Sequence, residues 1–196
     1  MSSVSSAALA TGSTRDQILG AARELIATRS YLGFSFQDVA DAVGVRKASL
    51  YHHFPSKEAL GVAVLRDAIQ GFRRWDEAKA RTPLESLDAY FRMYRNGLRA
   101  GSAVCPAGAL APGWDCINDE LRRTVQELRQ MQVLWLTGVL GALVSERAQG
   151  AGSAGPAALA AYVFAVCQGA LIAARMTGRV EDFDDAVAQL RSSLPV

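Results

Sequence analysis

The sequence has little of what a secreted or catalytic chain relies on. Its 196 residues hold three cysteines, Cys105, Cys116 and Cys167. The count is odd and contains no CxxC pair, which argues against a disulfide framework and against a zinc ribbon. Histidine is as scarce, and His52 and His53 are adjacent, so on a helix they point in different directions. There is no HExxH, no glycine-rich phosphate loop and no nameable nucleophile–base pair, so an enzyme built on either histidine has no support. No metal or cofactor is indicated. Net charge is close to absent, at +2. Residues 1–80 carry ten Lys/Arg against eight Asp/Glu, while residues 81–196 carry eleven of each, which places the whole excess in the N-terminal part. That is too small an excess to show a polyanion partner by itself, but a small basic patch is enough where it is well placed. The opening "MSSVSSAALATG" lacks a charged start and a long apolar core, so a signal peptide and a spanning segment are not expected there. Residues 1–12 read as a mobile tail, and a reducing cytoplasm is the expected location.

What the chain does have is helix punctuation, with no strand alternation and no internal repeat. Half of the residues are hydrophobic, Ala and Gly are abundant and β-branched runs are few, a composition that suits an all-α protein. Ser13 or Thr14, with Asp16 or Gln17, predicts a capped first helix whose inner face is Ile18, Ala21, Ala22, Leu25 and Ile26. Ser35 and Asp38 form a second capping box, Val39, Ala40 and Val43 follow as the buried stripe, and Gly44 supplies a left-handed stop. The next helix begins almost at once and ends at "FPSK", because Pro55 cannot extend it. Two short helices joined by a glycine turn, behind a longer helix, form a helix-turn-helix pattern. Ser56 caps a fourth helix reaching about residue 80. Thr82, Pro83 and Glu85 start a fifth, with Leu84, Leu87, Phe91, Tyr94 and Leu98 on its inner face. The stretch "GSAVCPAGALAPGWDCI" predicts a broken connection. Asn118 caps a helix to about residue 148, "GAGSAG" is a linker, Pro156 opens a very apolar helix, and a last helix covers about 181–192. Nine helices are expected in all.

Between Gly44 and Pro55 the helical wheel places Leu50 inward. Ala48 and His52 fall opposite it, flanked by Ser49 and Tyr51, with Lys47 at the edge and Arg46 at the N-terminal end. A polar, basic and aromatic face centred on a small alanine suits a helix that approaches the DNA major groove closely. Lys57 adds a second signal, because a cation in the first turn of a helix opposes the macrodipole unless a phosphate sits there. With Ser35, Tyr51 and the free N–H groups at the starts of helices two and four, it would grip the backbone. The alternative for this segment is an ordinary solvated basic face.

The run "FSFQDVADAVGVRKASLYHHFPSKEAL" resembles the DNA-binding region of the TetR family of bacterial transcriptional regulators, over roughly residues 14–60. The resemblance implies a three-helix DNA-binding domain at 13–58. It also implies a helical domain at 59–196 that binds a small-molecule effector and makes a homodimer through the last two long helices, with effector binding releasing a pseudo-palindromic operator. Carried over by position, Ser35, Arg46, Lys47, Ala48, Ser49, Tyr51, His52 and Lys57 are the DNA-facing set. Phe34 stands where many members have Thr, which removes one phosphate contact. A narrower likeness is to the branch that includes acrylate- and N-ethylmaleimide-responsive repressors, with Cys105 at the sensing position. Trp114, where an acidic residue is usual, and the added Cys116 depart from that branch.

Three further groups of residues follow. Cys105 precedes Pro106 in an irregular stretch and is either an accessible sensing thiol or a small buried hydrophobe. Phe91, Tyr94, Trp114 and Trp135 either line an effector pocket or pack in the core. The stretch "GPAALAAYVFAVCQGALIAA" is rich in Ala and Gly, is interrupted by Gln168 and is followed by Arg175, so a helix covered by protein on several sides is expected rather than a membrane span. Tyr162, Phe164, Val166, Gln168, Gly169, Leu171 and Ile172 are its expected dimer contacts.

Overall fold

The computed structural model describes residues 12–99, 104–147 and 155–194. Among these are nine α-helices: α1 Thr14–Arg29, α2 Phe36–Val43, α3 Lys47–His53, α4 Lys57–Glu77, α5 Pro83–Arg99, α6 Pro106–Leu110, α7 Asp119–Arg147, α8 Pro156–Thr177 and α9 Glu181–Ser193. A 3-10 segment, Ala111–Cys116, follows α6, and no strand occurs among the described residues. The expected tail, apart from Gly12, and the linker before Gly155 lie outside them.

The helix starts are written in local chemistry. Ser13 and Asp16 exchange a reciprocal capping box at α1, and Ser35 and Asp38 do so at α2. At α5 the Thr82 hydroxyl accepts from the Glu85 N–H while Glu85 accepts from the Thr82 N–H. Gly44 ends α2 with φ 75°. The first helix ends at Ser30, whose φ of 63° is a conformation that disfavours any residue with a Cβ. Its hydroxyl donates to the carbonyl of Ala109 on α6 at 2.9 Å, which ties the strained residue to a second element.

By its internal packing the chain divides into two compact units, residues 12–70 with 106–126, and residues 71–105 with 127–194. The sequence reading drew one boundary near residue 58; the first unit runs further along α4 and takes in α6, the 3-10 segment and the start of α7. Its core is formed by Ile18, Ala22, Ile26, Tyr31, Val39, Leu50, Leu60 and Leu121. Gly61 packs closely there, since a Cβ would sit 3.2 Å from the Leu121 and Tyr31 side chains, which would have to give by a few tenths of an ångström.

In the second unit α8 packs against α5 and α9. Arg95 of α5 clasps Asp184 of α9 with two bonds of 2.6 Å, and Arg191 of α9 meets Asp88 of α5 at 2.6 Å. By length and composition α8 could cross a membrane, with mean hydropathy 1.9, and 44% of that apolar window is buried inside the protein. Leu84, expected on the inner face of α5, is exposed instead, in the first turn ahead of the packed part of the helix.

The hydrogen bonds from Ser35, aided by the Arg29 guanidinium, hold the Asp38 carboxyl below its ordinary range. A depressed carboxylate adds stability at neutral pH that disappears as pH falls through its folded pKa. Asp38→Asn should therefore lower the thermal midpoint at pH 7, and the gap to the wild-type protein should close below about pH 4 in parallel melts.

Candidate nucleic-acid interface and effector unit

α3 is only seven residues long and buries one of them, Leu50. No side chain caps its start, where Arg46 is extended. It is held from outside by the Gly44 turn, by Phe54 buried at its end and by Phe36 of α2, whose ring lies 5.1 Å from that of Tyr51. Arg46, Lys47, Ala48, Tyr51 and His52 are all exposed, Tyr51 to 53%, and Ser49 is half-buried. His53, not singled out from the sequence, is exposed as well. The outward set is thus the one the helical wheel indicates.

Two expected phosphate contacts are otherwise engaged. The Ser35 hydroxyl donates to Asp38 at 2.6 Å and accepts from the Asp38 N–H at 3.3 Å, so its capacity goes into the capping box. Lys57, expected as a free cation at the start of α4, folds inward. Its Nζ donates to the carbonyl of Phe34 at 2.5 Å and sits over the rings of Phe34 and Tyr31, 4.3 and 4.5 Å from their centroids. Burial lowers its pKa, against the pull of the Glu58 and Asp38 carboxylates. The carbonyl and the two π faces supply from within the negative potential that the α4 dipole denies it. Phe34 therefore has a role of its own, as the buried wall of this cage.

The five residues expected at an effector site are divided between the units. Trp114 belongs to the first, in the 3-10 segment, where its carbonyl accepts from Arg122 Nε at 3.0 Å. Phe91, Tyr94, Trp135 and Cys105 belong to the second and gather around Tyr90, a residue the sequence reading passed over. Tyr90 stacks on Trp135 at 5.6 Å, with Tyr94 at 5.0 Å and Phe91 at 6.2 Å from its ring centroid. The hydroxyls of Tyr94 and Tyr90 donate to Gln132 Oε1 at 2.5 and 3.1 Å. Burial pushes both phenols well above their ordinary pKa, and the nearby thiols of Cys105 and Cys167 add to it. Trp135 Nε1 donates to Asp76 at 2.8 Å, and Arg191 lies over the Phe91 ring at 5.0 Å. The i, i+4 spacing of Tyr90 and Tyr94 was the available signal; Gln132, a glutamine on an amphipathic helix, gave none.

Cys105 is not an accessible thiol: it is 4% exposed, in a segment packed against the unit's core. Cys167 is buried too, and burial pushes its pKa up to about 12. Cys116 is the exposed cysteine.

On α8 the expected dimer contacts also separate by side. Phe164 and Leu171 belong to the protomer's own core, with Arg129 over the Phe164 ring at 5.6 Å. Val166 is half-buried, and the amide of Gln168 is buried with no hydrogen-bond partner among the described residues. Tyr162, Gly169 and Ile172 are exposed and continue through Ala165, Ala173 and Met176, the last 81% exposed, as one small-residue and apolar stripe.

A glycine-turned helix pair with a basic, aromatic outer helix makes the first unit a helix-turn-helix module of the kind that enters a DNA groove. Residues 18–64 match the family model described as bacterial regulatory proteins, tetR family. The HTH-type transcriptional repressor KstR2 of Mycolicibacterium smegmatis is 39% identical over 82 residues, 40% of each chain. The matched region thus spans about two-fifths of the length of such curated relatives. A TetR-family regulator from Agrobacterium tumefaciens superposes with TM-score 0.81 at 27% identity, covering 91% of this chain and 96% of that one. AibR, solved in complex with isovaleryl coenzyme A and operator DNA, shares the fold with TM-score 0.69 at 23% identity, covering 93% and 99%.

Under brief treatment of the native protein with a maleimide, Cys116 should be labelled first and Cys105 and Cys167 only on unfolding, read by peptide mass spectrometry. Tyr94→Phe should cost about 1–3 kcal/mol in chemical denaturation, because it weakens the buried bonds to Gln132.

Proposed function

We propose that this protein is a homodimeric transcriptional repressor of the cytoplasm that binds a pseudo-palindromic operator and is released by a small-molecule effector. The observation that carries the reading is the disposition of α3, with Leu50 alone buried and Arg46, Lys47, Ala48, Tyr51 and His52 turned to solvent. Arg46 and Lys47 carry donors for guanine acceptors in the major groove, and Ala48 leaves room for the helix to sit deep. Tyr51, propped by Phe36, and the N–H groups at the start of α2 take backbone phosphates. Ser35, through its capping box, and Lys57, folded inward, brace this frame instead of touching DNA. KstR2 is named as a repressor and AibR as a binder of both an acyl-coenzyme A and operator DNA, which supports the same division of labour here.

The exposed stripe of Tyr162, Gly169, Ile172 and Met176 on α8 meets its copy, since Gly169 and the neighbouring alanines allow close helix approach. A two-fold dimer sets its α3 helices about 34–36 Å apart, one turn of duplex. The effector acts in the second unit, at the Tyr90–Tyr94–Gln132 cluster beside Cys105, where apolar walls surround a few fixed polar tips. A coupling of about 1–3 kcal/mol between effector and operator is enough for release.

The test is fluorescence anisotropy on the intergenic DNA beside the protein's own gene. Wild-type protein should shift one palindrome, with affinity falling steeply as salt rises. Lys47→Ala should weaken it roughly tenfold or more, without loss of thermal stability. No shift on any palindromic fragment would sink the reading. Ile172→Glu should convert the dimer to a monomer by light scattering and abolish the shift.

A further inference from the structure

α3 is not the only element of the helix-turn-helix that turns hydrogen-bonding groups outward. On α2, Phe36, Val39 and Ala40 mark the buried side. Asp38 pairs with Arg29 of α1 at 3.0 Å, so that flank of α2 faces α1. At about 100° per residue, Gln37 and Asp41 lie about 40° apart, about 100° and about 60° round the helix from Asp38 on the side of Ala40. Both are exposed. This is the side next to α3, because the Val45 N–H leading into α3 donates to the Ala40 carbonyl at 3.0 Å. The ring of Phe36, one residue before Gln37, also touches that of the outward Tyr51.

Gln37 Nε2 donates to Asp41 Oδ1 at 2.7 Å. The bond occupies one of the two amide N–H groups and orients the amide plane. It leaves the carbonyl oxygen and the second N–H as an acceptor and donor side by side, the complement of adenine N6 and N7 on the major-groove edge. A side chain already held in one rotamer loses less entropy on docking than a free one. We infer that Gln37, steadied by Asp41, is a base-reading residue in addition to those of α3, and that it selects an A·T pair at the edge of each half-site. Asp41 is the positioning residue of the pair.

This inference rests on the DNA-binding reading given above, and the experiment separates the two. Full-length wild-type protein and the variants Gln37→Ala, Gln37→Lys and Asp41→Ala are each used to select from a library of randomised palindromes. Single-base changes in the selected site are then measured by anisotropy. In the wild type one position per half-site should prefer adenine by roughly tenfold. Gln37→Ala should level that position and leave the rest of the motif as it was. Gln37→Lys should turn the preference there to guanine, whose O6 and N7 are both acceptors. Asp41→Ala should keep adenine with a smaller preference. Thermal midpoints are expected to stay unchanged, as both residues are exposed on a helix surface. Identical base preferences in the wild type and all three variants overturn the assignment and leave the DNA-binding reading standing. A wild-type selection that enriches no sequence overturns the DNA-binding reading, and the assignment with it.

Discussion

A helix of seven residues with one buried side chain cannot hold itself together, and the rest of the N-terminal unit follows from that. In water a helix of this length is far from stable alone, because its nucleation cost exceeds what so few hydrogen bonds return. α3 therefore exists through its neighbours: Leu50 in the core, Gly44 in the left-handed turn before it, Phe36 against Tyr51 and Phe54 at its end. Because the support comes from one side and from both ends, the opposite face owes nothing to folding. It is free to carry Arg46, Lys47, Ala48 and His52, all turned to solvent.

The same economy governs the junction at α4. A lysine in the first helical turn works against the dipole, and the fold offsets this with the Phe34 carbonyl and two aromatic faces. That cage fastens the loop before α2 to the start of α4, so a residue expected as a free cation is an internal brace of the helix-turn-helix. Phe34 supplies both the carbonyl and one of the two ring faces of the cage, and Tyr31 the other. Ser35 is a parallel case, since its one hydroxyl hydrogen is spent on Asp38 within the α2 capping box.

The second unit is organised around polar groups inside an apolar wall. Tyr90 and Tyr94 share the single acceptor of Gln132, with Trp135, Phe91 and two thiols around them. Buried hydroxyls are costly unless paired, so such a cluster has a defined geometry that an entering molecule would disturb. α8 divides its length between a core side, including Phe164 and Leu171, and an exposed stripe of small and apolar residues. A side chain on this helix cannot serve both, which is why the residues expected at an interface separate into two sets.

By itself the sequence determined the helical class, the caps at Ser13, Ser35, Thr82 and Asn118, the stop at Gly44 and the outward face of α3. Each of these is a local matter of periodicity, capping chemistry or one residue's allowed φ, and it survives whatever the chain packs against. Only the tertiary structure decided that Lys57 points inward, that Cys105 is covered while Cys116 is open, that Tyr90 and Gln132 join Tyr94, and which side of α8 is core. Those outcomes depend on residues distant in the chain, such as Phe34 for Lys57 and Gln132 for Tyr94. Burial and hydrogen-bond partnership are properties of the assembled neighbourhood, which no window of adjacent residues contains.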